Sequence, residues 1–457
     1  MDQHPALSLI DLQSILLPAD FGRRVPVRDK QKISDWQNPT LSHRQDRGHW
    51  GRMMVLDDGQ ERPVRVVFTG TRGELGAILL RGYLLMLPTI GMYRFWLTNW
   101  KRRFYWSNTE IDGDPLEYTG HALQLLIGFM LALIVFVPIY ALFFYLSTQN
   151  GDVALAGYAL AAVVLWFLTG YAHYRARDFR LSRTLWRGVR FDQGGSAFGY
   201  AFRRFGWTIL MGITIGLVYP WMASNLWRYR WNNTWYGDRQ FSFTGRARML
   251  LGPYYLAYLI VAIIGSVGVS ASAGMGAFTP GGPSDPLSVI PGAVAALLCG
   301  IFILIYQSRE MTRFWSSVDI GATHLAVAVR ARSLIGQYAL FGLALLGIYF
   351  VLSIGGIVVL FTIASDAFSG PEFDMALFMS HLQDSVAMVI AVVVGYLLLL
   401  AAFSFMHQLF VGLAFWKTVA SNATVTNVGS LRSVRARAED KALAGEGLAD
   451  ALNVGAY

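Results

Sequence analysis

Apolar residues in this chain come in long unbroken runs. Six of them, roughly 121–147, 153–172, 249–272, 287–306, 334–364 and 386–416, are long enough to cross about 30 Å of hydrocarbon. The last two exceed one crossing, which calls for tilt or an interfacial extension. Two further segments, 75–96 and 205–223, are apolar but interrupted, the first by Arg81, Pro88 and Gly91, the second by Gly212, Gly216 and Pro220. Residues 1–62 are polar and read as a flexible arm with a short amphipathic helix at 6–17. Residues 64–70, VRVVFTG, alternate and are β-branched, which predicts a strand.

The connections decide how the runs are threaded. Stretches 148–152, 273–286 and 365–385 contain no Lys or Arg, whereas 173–204 contains eight, 97–120 three, 224–248 five, 307–333 four and the tail from 417 five. With basic connections inside and bare ones outside, the six strong runs satisfy every assignment. Segments 75–96 and 205–223 then begin and end on the cytoplasmic side as broken, re-entrant elements. Eight full crossings would put 97–120 and 173–204 outside, against the positive-inside bias.

Both interrupted segments lead into one signature. PTIGMYRFWLTNWKRRFYWSNTEIDGDPLEYTG (88–120) maps onto ITIGLVYPWMASNLWRYRWNNTWYGDRQFSFTG (213–245) with a shift of 125, which places Thr89 on Thr214, Gly91 on Gly216, Trp96 on Trp221, Arg103 on Arg228, Trp106 on Trp231 and Gly120 on Gly245. The basic connections also carry paired Gly and Asp between short alternating runs, a hairpin signal. Turns are expected at Asp112-Gly113, Gly194-Gly195 and Gly237-Asp238, with weaker echoes at 313–327 and 422–431. A lone hairpin is marginal, so these should join strand 64–70 in a small sheet.

The chain thus reads as a mainly α polytopic membrane protein. It has an internal repeat of helical hairpins, six spans plus two broken or re-entrant elements, and short cytoplasmic β-hairpins. The units are a polar arm (1–62), two membrane repeat units (63–190 and 191–333), a third, degenerate membrane unit (334–416) and a cytoplasmic tail (417–457). Composition agrees: 54% of the 457 residues are hydrophobic and only 15% charged, against about 25% charged in a soluble domain. The net charge of +9 sits in loops between apolar runs, so orientation explains it better than nucleic acid does. A single cysteine, Cys299, permits no disulfide within the chain. Asp11 interrupts the early apolar stretch, and no cleaved signal peptide is read there.

The strings TIGMYRFW, RRFYWSNT, EYTG, RTLWRGVRF, TIGLVYPW and RYRWNNT, with the ending GEGLADALNVG, resemble the YjgN-like family of uncharacterised bacterial inner-membrane proteins. The resemblance covers residue 64 to the C-terminus. It implies a multi-pass protein of the bacterial inner membrane and supplies no catalytic residues. At the third expected signature, 410–424, only Phe415-Trp416 and a distant Asn/Thr pair remain.

Two groups of residues could carry chemistry. Trp96, Arg103 and Trp106, with Trp221, Arg228 and Trp231, suit an interfacial belt in which aromatic rings and arginines meet membrane lipids, anionic headgroups above all. A sharper possibility is a specific acidic-lipid or anionic-ligand site where the two copies meet. Pro88, Thr89 and Gly91, with Thr214, Gly216 and Pro220, break apolar helices at matching places, the sequence pointer to a transporter's binding site; the plainer explanation is a packing break. No carboxylate lies deep in the six runs, His407 is the only histidine within one, and no phosphate loop, HExxH or GxSxG appears. Nothing calls for a cofactor or metal. The expectations are transport or channel-like activity at the broken elements, or a structural or lipid- and partner-binding role with the hairpins as docking surface. A lipid-modifying enzyme around Asp114, Glu117 and His121 ranks last.

Overall fold

The computed structural model describes residues 63–279, 285–363, 365–368, 370 and 374–437. The arm at 1–62, its helix at 6–17 and the ending GEGLADALNVG lie outside the described residues. Strand β1 (Val64–Phe68) leads into two short helices, α1 (Arg72–Met86) and α2 (Arg94–Ser107). A capping box opens α1: the Thr71 hydroxyl accepts from the Glu74 N–H, and the Glu74 carboxylate accepts from the Thr71 N–H. Strands β2 (Thr109–Ile111), β3 (Asp114–Pro115) and β4 (Glu117–Tyr118) precede the long pair α3 (Ala122–Ser147) and α4 (Gly151–Ser182). Strands β5 (Thr184–Trp186) and β6 (Val189–Gln193) lead to a second short pair, α5 (Ala197–Ile213) and α6 (Tyr219–Asn232). Then come β7 (Thr234–Tyr236), β8 (Arg239–Phe243), and the long helices α7 (Arg248–Gly274) and α8 (Ile290–Trp315). The chain continues through β9 (Val318–Ile320), β10 (Thr323–Val327), α9 (Ala331–Ile363), α10 (Met375–Asp384) and α11 (Val386–Met406). A wide π turn over His407–Gly412 joins α11 to α12 (Leu413–Ser421), and β11 (Ala423–Thr426) follows.

Six helical segments among the described residues are long and apolar enough to cross a membrane: 122–147, 151–182, 248–274, 286–315, 331–363 and 386–421. They coincide with the six runs but continue into the basic ends, because the helices break only where the first strand residue begins. The short pairs 72–107 and 197–232 contribute none.

The hairpins form far more than a small sheet. Eleven strands pair in the order β3-β2-β1-β11-β10-β9-β8-β7-β6-β5-β4, every pair antiparallel. The two ends of that order, β3 and β4, are separated in the chain by Leu116 alone. The Leu116 N–H donates to the Thr109 carbonyl (2.9 Å) and the Thr119 N–H to the Arg183 carbonyl (2.9 Å). The sheet therefore comes round on itself as a near-closed ring, its two end strands joined through the chain rather than by a ladder. Every pair of strands flanking a helical pair is hydrogen-bonded: β1–β2, β4–β5, β6–β7, β8–β9 and β10–β11. Five helical hairpins thus rise from one ring, and β11 pairs with β1 to shut it. The helical hairpins follow the same circle, each touching the next, with α11 meeting α1.

One turn differs from expectation. Asp112-Gly113 and Gly237 turn as predicted, but between β5 and β6 the chain reverses at Arg187-Gly188 (φ 49° and 72°). Gly194-Gly195 instead ends β6, where the Tyr174 hydroxyl donates to the Gly194 carbonyl (2.6 Å) and a Cβ on Gly195 would meet that hydroxyl at 2.8 Å. Arg187 clasps the ring where β3 and β4 part, donating to Asp112 (2.7 Å) and Asp114 (2.5 Å). These are partly exposed groups, so Arg187→Ala should cost about 1 kcal/mol or less, and less still in high salt. Thermal melts at two ionic strengths check this; a large, salt-independent loss would mean that the clasp carries the closure.

Candidate functional site

The two interrupted segments adopt one geometry. Helix α1 ends and the chain reverses through Ile90-Gly91 (φ 49° and 80°); α5 ends and it reverses through Ile215-Gly216 (φ 50° and 87°). Left-handed φ at both positions explains the glycines. The threonines bond back into the helix they leave, Thr89 to the Leu85 carbonyl (2.7 Å) and Thr214 to the Leu210 carbonyl (2.8 Å). Pro88 is exposed, whereas Pro220 is buried in the first turn of α6, where its missing N–H costs nothing. Ile90 and Ile215, at the tips, are 94% and 78% exposed.

The depth of the second tip follows from what it touches. The hydroxyls of Tyr258, Tyr254 and Tyr255 on α7 donate to the carbonyls of Ile215 (2.8 Å), Gly216 (2.7 Å) and Leu217 (2.9 Å). Tyr258 lies ten residues into a 27-residue helix, so the tip stands only ~15 Å along an element ~40 Å long. The first tip is equally shallow: Phe95 and Arg94, just after it, pack on Phe129 in the third turn of α3.

Four of the belt residues, Arg103, Trp106, Arg228 and Trp231, occupy a second level, ~20 Å along the helices from the tips, while Trp96 and Trp221 stay in the first turn after them. Arg103 reaches the Gly120 carbonyl (3.5 Å) and Arg228 the Gly245 carbonyl (3.0 Å), pinning each helix to the end of its own hairpin. The Trp106 indole donates to Thr184 (2.8 Å) and packs on Tyr118 and Trp416. Trp231 packs instead on Trp315, Trp227 and Phe241. Trp96 stacks on Tyr93, and Trp221 is 42% exposed. The twelve residues therefore fall at two levels, and the paired tryptophans have different neighbours.

The structure adds residues that the runs did not flag. Glu310 sits near the end of α8 and accepts from the Tyr219 hydroxyl at 3.0 and 3.2 Å. Tyr254 and Tyr306 pack around Tyr219, and the buried Tyr306 hydroxyl lies beside the same carboxylate without a well-aligned hydrogen bond. Burial, and after it the Glu310 charge, hold the Tyr219 phenol above its ordinary pKa, so it stays a donor. The apolar run stops at 306 while its helix runs to Trp315, which is why a carboxylate appeared to be missing. Tyr219→Phe strips this buried acid of its donor and should cost about 1–3 kcal/mol in thermal unfolding; a variant that melts with the parent would show that the contact holds nothing. Asp114, Glu117 and His121 do not converge. Asp114 is clasped by Arg187, while Glu117 and His121 are exposed. No group of three metal-ligating side chains occurs among the described residues.

Comparison with known proteins fits this architecture. The inner membrane protein YjgN of Escherichia coli (strain K12) is 31% identical over 159 residues, which are 34% of this chain. That match spans 37% of the relative's length. No solved structure matches. A family model described as bacterial protein of unknown function (DUF898) matches residues 63–451, from the first strand of the ring past its last. With six apolar helices and most of its length inside that match, the chain is a multi-pass inner-membrane protein and belongs to the DUF898 family of bacterial proteins.

Proposed function

We propose that this protein moves lipid-like, amphipathic molecules between the leaflets of the inner membrane. The observation that carries the reading is the unequal height of the five hairpins. Pairs 72–107 and 197–232 end beside the third turn of their neighbours, while the other three continue. Around the ring each short pair stands between long ones, so the helical wall has two notches in its far half. With the basic connections inside, the ring is cytoplasmic and the notches open into the outer leaflet. The bilayer beside a half-depth hairpin must thin or bend, which lowers the barrier to a headgroup crossing.

The lining favours lipid over ions. Residues 396–400 of α11, which flanks the first short pair, are exposed in unbroken succession, as are 353–359 of α9 behind it, so whole turns are bare on every face. They carry no charge, and a water-filled ion path would require polar lining there. The test is reconstitution into vesicles holding a fluorescent phospholipid, followed by an impermeant reductant. Bleaching should pass the half that outer-leaflet probe alone accounts for, while a trapped charged dye stays inside. Bleaching equal to that of empty vesicles sinks the proposal, and release of the dye would favour an aqueous channel.

A further inference from the structure

We infer that α4, α5 and α6 form a binding site for a phosphate-bearing anion, centred on Arg177, Arg204 and Arg230. Arg177 projects from α4 into the base of the second short hairpin. It donates to Gln193 (2.5 Å) and Thr234 (2.8 Å), and its guanidinium lies over Trp231 at 4.9 Å. All of these partners are neutral. Arg204 comes from α5, stacks on Trp166 (5.5 Å) and faces His173 (3.1 Å). Arg230 comes from α6 and lies over Trp227 (5.3 Å). Arg177 also reaches the Arg230 carbonyl (3.4 Å), and His173, one turn before Arg177 on α4, is the group that Arg204 faces, so three elements bring like charge to one region.

The carboxylates nearby hydrogen-bond other residues. Asp178 pairs with Arg175 (2.9 Å). Glu310 attracts Arg230 but is hydrogen-bonded by Tyr219. Among the described residues, none of Arg177, Arg204 and Arg230 hydrogen-bonds a carboxylate. Gathering like charge away from water is unfavourable unless an opposite charge joins it.

Two further observations indicate a missing anion. The Nε of Arg230 is buried and has no hydrogen-bond partner. The Nδ1 of His173 is 3.1 Å from both the Thr169 carbonyl and the Arg204 guanidinium. One ring nitrogen cannot donate to the first and accept from the second, so one contact is idle. If it donates to Thr169, Arg204 is left without an acceptor. A phosphate oxygen would serve both arginines, since guanidinium forks match that geometry.

The source of the phosphate rests on the lipid reading above; the site itself does not. The outward face of α5 presents exposed Phe198, Phe202 and Ile209, a track for acyl chains beside the arginines. An anionic phospholipid headgroup therefore fits better than free phosphate.

The experiment uses the purified full chain in detergent, titrated with phosphatidylglycerol, phosphatidylcholine or inorganic phosphate while its melting temperature is read. Phosphatidylglycerol should stabilise the parent and the Arg239→Gln control on the ring. Arg204→Gln and Arg230→Gln should each bind about ten-fold more weakly, and Arg204→Lys should recover part of the loss. Stabilisation by inorganic phosphate alone, lost in the same variants, keeps the site and removes the lipid as its source. No stabilisation by either ligand, or equal stabilisation in both Gln variants, overturns the inference. Binding retained without lipid movement in vesicles would sink the transport reading and leave this site standing.

Discussion

Replacing Tyr254, Tyr255 and Tyr258 together by Phe is expected to release the tip of the second short hairpin. The three hydroxyls donate to the consecutive carbonyls of Gly216, Leu217 and Ile215, and among these only Gly216 also accepts from a backbone N–H, that of Tyr219 (3.1 Å). In water a freed carbonyl would be rehydrated at small cost; in hydrocarbon, where the transport reading puts the tip, it has no such partner. Each loss is worth about 1–3 kcal/mol, so the triple variant should lose roughly 3–9 kcal/mol. Ring packing survives, because Phe keeps every face of the tyrosines. A thiol placed at Ile215→Cys should become far more reactive toward a soluble reagent in the triple variant than in its parent. Equal labelling and equal melting would show that the tip is held by something other than these hydroxyls.

That result would separate two segments that look alike in sequence. The shift of 125 carries Tyr254, Tyr255 and Tyr258 onto Phe129, Met130 and Leu133, none of which can donate. Among the described residues no side-chain hydroxyl reaches the carbonyls of Ile90, Gly91 or Met92. The backbone turn was legible because Thr-Ile-Gly recurs with the same left-handed pair. The support was not, because it comes from a helix some forty residues downstream and only in one copy.

The same distinction explains the rest of the fold. Apolar runs are local, and they placed all six long helices to within a turn or two except where a helix continued into a basic end. Glu310 was lost for that reason. The ring was illegible because it is assembled from strands of two to five residues whose partners lie across whole helical hairpins. Its chemistry does leave a trace. Gly70, Gly120 and Gly245 each follow a buried strand-ending aromatic by two residues, and a Cβ at any of them would strike the ring of Phe68, Tyr118 or Phe243. The FTG, YTG and FTG strings thus record a side chain folded back over its own backbone. On either side of β6, two glycine-containing turns compete in sequence. Only the contact of Tyr174 with Gly194 settles that the second is an approach site and the first the reversal.

Gly237→Ala is expected to detach the segment that crosses the mouth of the ring. After β11 the chain turns at Asn427 (φ 57°), whose carbonyl accepts from Thr323 (2.9 Å). It buries Val428 and Val434 and reaches the turn between β7 and β8. There the Asp238 N–H donates to the Arg435 carbonyl (3.1 Å), the Arg435 N–H donates to the Asp238 side chain (3.2 Å), and Arg437 lies over Trp235. Tyr236, beside this turn, donates to the Trp186 carbonyl (2.9 Å), and burial pushes its phenol up to about 12, so it remains a donor through the neutral range. Gly237 has φ 54°, and the space a methyl would need is taken by the Arg435 carbonyl, Val434 and Val189. Left-handed φ alone costs a non-glycine residue about 1–2 kcal/mol. Overpacking adds about 1–3 kcal/mol more, and it falls on backbone that moves only by undocking. Gly113→Ala supplies the comparison, since Gly113 also has positive φ (80°) but open space around its Cα. Both variants carry the conformational penalty; only Gly237→Ala should also open the chain after Asn427 to a protease. If the two variants melt and cut alike, the crossing segment contributes nothing to the ring, and its docking on the β7–β8 turn is dispensable.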